Sequence, residues 1–251
     1  ITFAKMLLPL MVKHKVLSTK KLEPLLEEQA NQNGIEIIEQ EFISVKPILS
    51  KEKQDEILPW IQNADLITVA FTSANAVETV HHYLQNNNAG HPLNWNVFCI
   101  SGRTKDAVSA FIHPASILAT AEYGKDLAQK IIASGVKEIV FFCGNKRRED
   151  LPVLLKNAGI TVHEIIVYET VETPLTAIEN MDGILFFSPS AVNSFFSVNG
   201  LKANTVCFAI GHTTADAIAG FTGNTIITSE YTSQEMMLAS LIKTYKVSEN
   251  L

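Results

Sequence analysis

The stretches "FTSANAV" (71–77) and "FFSPSAV" (186–192) follow one local design: an apolar strand end, small hydroxyl residues, then the Ala-Val start of an amphipathic run. Such a corner carries a parallel strand into a helix, and finding it twice decides how the rest of the chain is read. Aligning the two copies pairs Phe71 with Phe186, Ser73 with Ser188, Ala76 with Ala191 and Val77 with Val192. Downstream, "CISGRTKDAV" (99–108) matches "AIGHTTADAI" (209–218), and "TAEY" (120–123) matches "TSEY" (228–231), setting Tyr123 opposite Tyr231. Blocks in the same order at comparable spacing point to an internal duplication.

A fainter pair flanks these blocks. "VLSTKKLEPLLEEQANQNGIEIIEQEFI" (16–43) and "VFFCGNKRREDLPVLLKNAGITVHEIIVY" (140–168) each read as strand, helix, Gly, strand. The chain therefore runs A, B, A′, B′. A tandem arrangement docks A with B and A′ with B′; a crossed arrangement docks B with A′ and A with B′. Periodicity does not choose between them. Short apolar runs at 15–18, 35–43, 65–71, 96–100, 138–142, 160–167, 183–187, 205–210 and 225–227 alternate with amphipathic stretches. This alternation predicts an α/β fold of two similar doubly wound domains, whose parallel sheets are covered on both faces. Gly34, Gly135 and Gly159 stand where helices need a left-handed C-terminal cap.

Composition bounds the function. A chain of 251 residues, 47% hydrophobic and 18% charged, is long enough for two domains of roughly 120 residues with real cores. No run approaches the roughly 20 apolar residues of a membrane helix. The opening "ITFAKMLLPLMVKHK" (1–15) is read as an extension ahead of the fold rather than a signal peptide, with the fold beginning near Lys15. Cys99, Cys143 and Cys207 are odd in number and widely spaced, which argues against structural disulfides and for the cytoplasm. The seven histidines lack metal-ligand spacing; the neighbours His81 and His82 diverge by about 100° on a helix. A net charge of −6, with "KRR" at 146–148 the main basic cluster, excludes a nucleic-acid footprint.

Each corner lies at the carboxyl end of a strand and the start of a helix, where free amides and the helix dipole favour anions. Asn75 and Glu78 have capping-box spacing, and Ser190 takes the equivalent cap in the second copy. Thr72, Ser73, Ser101, Thr104, Ser188, Ser190, Thr213 and Thr214 add hydroxyls there, either as plain caps or as donors to a ligand held between two facing domains. The chain has no G-x-S-x-G elbow, no G-x-x-x-x-G-K-[ST] loop and no G-x-G-x-x-G turn. Cys143, in "FFCGNKRRED", is either a thiolate at a helix start or a packed strand-end residue. An enzyme of this composition works by positioning and hydrogen bonding.

"FTSANAV", "CGNKRREDLPVLLKNAG", "VYET" (167–170), "FFSPSAVNSFF" and "AIGHTTADAI", in this order and spacing, resemble uroporphyrinogen-III synthase, an enzyme family of tetrapyrrole biosynthesis; the likeness runs from about Val16 to Tyr245. It implies the crossed arrangement: 1–43 with 172–251 as one discontinuous domain and 47–167 as the other, with crossovers near 43–47 and 168–172, a two-stranded linker and a cleft between the domains. It also implies the reaction. Linear hydroxymethylbilane loses its terminal hydroxyl, ring D is inverted through a spiro intermediate, and the macrocycle closes as uroporphyrinogen III. The family needs no metal or organic cofactor.

The resemblance implies roles for single residues. Tyr168 becomes the hydrogen-bond donor to the departing hydroxide, against the alternative of an interdomain packing residue. Thr104, Ser188, Ser190 and Thr214 are expected on substrate carboxylates or pyrrole nitrogens, and Asn145, Lys146 and Arg148 on a carboxylate rim, although Arg148 could equally pair with Asp150. Thr72, Ser73, Ser101, Cys143, Gly144, Gly211 and Thr213 complete the substrate-binding set. Tyr123 and Tyr231 are read as structural. The expected partner is the small-molecule substrate hydroxymethylbilane, acted on by a monomer in the cytoplasm, with no nucleic acid and no membrane. The rival reading is a non-catalytic two-lobed receptor for a small anion, which binds without turnover.

Overall fold

A computed structural model of the chain describes residues 13–62, 65–87, 93–178 and 180–248. The extension read at residues 1–14 lies, up to residue 12, outside the described residues. In chain order the elements are β1 (His14–Ser18), α1 (Pro24–Asn31), β2 (Ile35–Glu39), β3 (Ile43–Pro47), α2 (Lys51–Ile61), β4 (Ile67–Phe71), α3 (Ala74–Asn87), β5 (Trp95–Ile100) and α4 (Arg103–Ser109). There follow β6 (Ile117–Ala121), α5 (Gly124–Ala133), β7 (Glu138–Gly144), α6 (Asp150–Asn157), β8 (Thr161–Glu172), β9 (Gly183–Phe186), α7 (Pro189–Phe196), β10 (Val206–Ala209), α8 (His212–Ala219), β11 (Ile226–Thr228) and α9 (Gln234–Ser248).

The chain divides into two compact units, one made of the residues through Ser44 together with those from Glu172 onward, the other of Val45–Val171. Both boundaries fall inside strands, the first in β3 and the second in β8. The first unit holds a sheet of order β11-β10-β9-β1-β2, the second a sheet of order β3-β8-β7-β4-β5-β6. The pairs β1/β2, β1/β9, β9/β10 and β10/β11 are parallel, as are β7/β8, β4/β7, β4/β5 and β5/β6. Reading β1, β2, β9, β10 and β11 against β7, β8, β4, β5 and β6 superimposes one order on the other. Unit A thus shares a sheet with B′, and A′ with B.

Strand alternation builds two apolar layers per sheet. In the second unit Val69, Phe71, Val140 and Phe142 face Val77 and Val80 of α3 and Ile57 and Ile61 of α2. Ala70, Ile139, Phe141 and Cys143 face Leu127 and Ile131 of α5 and Leu151 and Leu155 of α6. The first unit repeats this plan. Leu17, Ile184, Phe186 and Cys207 meet Val192 and Phe195 of α7 and Ile218 of α8. Val16, Leu185 and Phe208 meet Leu26 of α1 and Leu238 and Leu241 of α9.

Three elements depart from the sequence reading. The run 35–43 is two strands in different sheets, because the chain leaves β2 at Gln40, whose N–H donates to the Ser18 carbonyl, and plants Phe42 in the core of the first unit. Helix α2 hides in a charge-rich stretch, started by Ser50 Oγ accepting from Lys53 N–H at 3.3 Å and anchored by the buried Ile57 and Ile61 with the partly buried Trp60. Strand β6, "ILATA", lies at the sheet edge, half-buried and without a long apolar run. Gly34, Gly135 and Gly159 adopt φ of 73°, 76° and 77°, as their capping positions demand.

Candidate active site

In each unit the strand order reverses once, between β7 and β4 in the second and between β1 and β9 in the first. Open α/β sheets bind ligands at the carboxyl ends of the strands flanking such a reversal. The residues singled out in the sequence fall at the carboxyl ends of these strands or of their immediate neighbours. Thr72 and Ser73 follow β4, Ser101 and Thr104 follow β5, Cys143 and Gly144 end β7, Asn145, Lys146 and Arg148 follow it, and Tyr168 stands on β8. Ser188 and Ser190 follow β9, and Gly211, Thr213 and Thr214 follow β10.

The central contact of the second unit joins Tyr168 to Ser73. The tyrosine hydroxyl donates to Ser73 Oγ at 3.0 Å, and the Asn75 side chain acts on the phenol to lower its pKa. Burial pushes the phenol pKa above its usual value of 10.0, and Ser73 and Asn75 offset only part of that rise. The group therefore keeps its proton through the neutral range and can act as a donor.

A register shift sets this side chain. Strands β7 and β8 pair Cys143 with Ile166 and then Gly144 with Tyr168, leaving Val167 as an extra residue, a β-bulge. Ile165, Val167 and Tyr168 consequently pack into one layer while Ile166 faces the other. Past the bulge Asn145 clamps β8: its Oδ1 accepts from Thr170 N–H at 2.8 Å and its Nδ2 donates to the Thr170 carbonyl at 3.4 Å. Arg147 anchors the same loop, donating from Nε to Glu164 Oε2 at 2.5 Å, while Lys156 Nζ reaches Glu164 Oε1 at 2.6 Å. Burial raises the Glu164 carboxyl pKa, but the bonds from Lys156 and Arg147 outweigh it and hold the group below its usual range. Lys146 and Arg148 on either side of Arg147 are exposed.

Several expected roles are corrected. Asn75 is not a cap: α3 begins at Ala74, and Asn75 lies in the first turn, oriented to Tyr168. Ser190 is not the cap of α7 either; Ser188 is, its Oγ accepting from Ala191 N–H at 3.1 Å. Cys143 is only 1% exposed, in the core beside α5 and α6, and burial pushes its thiol up to about 12, so it is no thiolate and presents no side chain to a ligand. Thr104 and Thr214 are buried in the first turns of α4 and α8. Asn145, exposed at the expected rim, also clamps β8. Gly102 caps α4 with a φ of 68°. Tyr123 and Tyr231 are about half exposed.

The reading of the sequence gave Thr19 no role. Its hydroxyl donates to the Leu185 carbonyl at 2.9 Å and accepts from Phe187 N–H at 3.3 Å, bridging the reversal point of the first unit. A lone Thr after an apolar run carries no signal of such a bridge. Among the described residues no group of His, Cys, Asp and Glu could hold a metal, and no helix is long and apolar enough to cross a membrane.

Comparison with known proteins converges on one family. The family model described as uroporphyrinogen-III synthase HemD matches residues 25–239. No curated protein matches the chain. Among solved structures, a mutant uroporphyrinogen III synthase from the extremely thermophilic bacterium Thermus thermophilus superimposes with a TM-score of 0.68 at 16% identity, covering 95% of this chain and 100% of that one. Uroporphyrinogen-III synthetase from Helicobacter pylori superimposes with a TM-score of 0.61 at 16% identity, covering 92% and 100%. With its two permuted α/β units and a family match over most of its length, the chain belongs to the uroporphyrinogen-III synthase family.

Proposed function

We propose that this cyclising lyase of tetrapyrrole biosynthesis turns hydroxymethylbilane into uroporphyrinogen III through a hydrogen bond from Tyr168 to the departing hydroxyl. The observation that carries this reading is the Tyr168 hydroxyl, proton-bearing at neutral pH and held by Ser73 beside the strand reversal of the second unit. The pyrrole nitrogen lone pair expels the hydroxide and leaves an azafulvene, so the protein needs only a donor and a mould for the substrate. Attack by the substituted carbon of ring D gives the spiro intermediate. Its fragmentation and reclosure yield the inverted ring, with one water lost overall.

The substrate is a polycarboxylate, and the chain meets it without net positive charge. The first turns of α3, α7 and α8, with the hydroxyls of Thr72, Ser101, Ser190 and Thr213 and the exposed Lys146 and Arg148, favour carboxylates locally. We assign the protein to the cytoplasm as a monomer acting on this small molecule, without nucleic acid or cofactor. Rate enhancement comes from holding the substrate in the conformer that inverts, against spontaneous closure to the type I isomer.

The test is to supply the purified protein with enzymatically generated hydroxymethylbilane, oxidise the products and separate the uroporphyrin isomers by chromatography. Predominant type III is expected. Type I alone, at the spontaneous rate, would transfer support to the receptor reading, in which a small anion is bound and released unchanged.

A further inference from the structure

Tyr168 stands on β8 and Ser73 follows β4, yet the sheet order is β8-β7-β4. The bond between them therefore spans the whole width of β7. The residue crossed is Gly144, the last of that strand and the bulge partner of Tyr168. A Cβ placed on Gly144 would stand 2.3 Å from the tyrosine Cζ, 2.5 Å from Cε2 and 2.7 Å from the hydroxyl oxygen, all far inside van der Waals contact. Gly144 is not among the described glycines with left-handed φ, so its φ does not itself demand glycine. Only the ring requires the missing side chain.

Strand geometry explains the coincidence. Phe142 belongs to the apolar layer on which Tyr168 packs, and alternation returns β7 to that face at Gly144. The bulge at Val167 brings Tyr168 onto this face out of turn. A regular ladder would direct residue 168 to the opposite layer; the bulge redirects it, and Gly144 leaves the space it crosses. The ring has little room to retreat, since it packs against the buried layer and its hydroxyl is tied to Ser73.

We propose that Gly144 is a positioning residue for Tyr168, acting in the reaction by letting the ring cross β7 so that the hydroxyl arrives at the reversal point between β7 and β4. The role assigned to Gly144 is steric rather than a contact with substrate, and it rests on Tyr168 being the donor. The test is a double-mutant cycle of G144A and Y168F, with 3-fluorotyrosine incorporated for fluorine NMR. The resonance that disappears in Y168F identifies Tyr168.

G144A is expected to move that resonance and to lower kcat for type III formation about tenfold or more, with KM changed by less than about threefold. Added to Y168F, it is expected to cost less than about twofold further, because the donor it displaces is already gone. An unmoved resonance, or an equal loss in both backgrounds, would overturn the proposal. Full turnover by Y168F would remove the donor role itself and with it the catalytic part of the proposal, while the resonance would still decide whether Gly144 sets the ring. Should G144A fail to fold, the Y168A background removes the obstructing ring. There G144A should leave Tm close to that of Y168A alone, and unfolding in that background too would refute the steric account.

Discussion

Thr19 donates its hydroxyl to the carbonyl of Leu185, 2.9 Å away and 166 positions later in the chain. Thr19 is 2% exposed, and the same oxygen accepts from Phe187 N–H. Thr19→Val keeps the shape but removes the acceptor of the part-buried Phe187 N–H and one of two donors to the Leu185 carbonyl, which retains the Thr19 N–H at 3.0 Å. We expect a loss of about 1–3 kcal/mol in urea unfolding, with Thr19→Ser largely sparing it. Equal midpoints for wild type and the Val variant would show that the bridge contributes nothing.

Tyr168→Phe should slow type III formation about a hundredfold or more, as loss of a proton donor does, while leaving Tm within a few degrees. Because burial raises the phenol pKa, wild-type turnover should show no alkaline decline attributable to this group below about pH 10. A decline near neutrality that disappears in the Phe variant would contradict a donor role and favour a base.

The caps of α7 can be told apart. Ser188→Ala removes the acceptor for Ala191 N–H and should cost about 1 kcal/mol, whereas Ser190→Ala, one residue inside the helix, should stay within about 0.5 kcal/mol. Chemical denaturation of the two variants decides, and a reversed ranking would contradict the cap at Ser188.

Glu164→Gln should loosen the loop after β7. Burial raises its pKa, but Lys156 and Arg147 lower it further, so its folded value lies below the unfolded one. The stability it contributes is therefore present above the unfolded carboxyl value of about 4.3 and is lost as pH falls through the folded value. The variant should be weaker by about 1–2 kcal/mol at pH 7, and the gap should narrow as pH falls below the unfolded value and close once it passes the folded one. A gap independent of pH would show that shape rather than charge is at stake.

Burial pushes Cys99 up to about 11 and Cys143 and Cys207 up to about 12. Raised folded values mean stability fully present below the unfolded thiol value of about 8.5 and lost progressively as pH rises through the folded values. Urea midpoints should fall from about pH 8.5 upward, and Cys207→Ala, though less stable at pH 7, should show the shallower decline. Parallel declines would remove the thiol from the explanation.

What the sequence made legible follows from what repeats. The strand-end corners at Ser73 and Ser188 were visible because both copies preserve an apolar run, hydroxyls and Ala-Val, and the helices α3 and α7 follow them. The glycines at 34, 135 and 159 were visible because a helix must end there. Elements supported only by tertiary packing were not: β6 is a short edge strand interrupted by Thr120, and α2 is held by Ile57, Trp60 and Ile61 among charges. Nor could periodicity reveal that β1 lies beside β9, since strand pairing is a matter of register between distant segments. Within the site, the bulge at Val167 and the ring of Tyr168 over Gly144 depend on which residues face each other across strands, and no linear pattern encodes that.

The sheet order has a consequence for biosynthesis. The second unit, Val45–Val171, is contiguous, so it can fold as soon as its last strand leaves the ribosome. Strand β1 is by then already made, but its neighbour β9 begins only at Gly183. Until then the nascent N-terminal segment carries an unsatisfied strand edge, open to wrong partners in a crowded cell. The segment made just before the second unit is completed only after it.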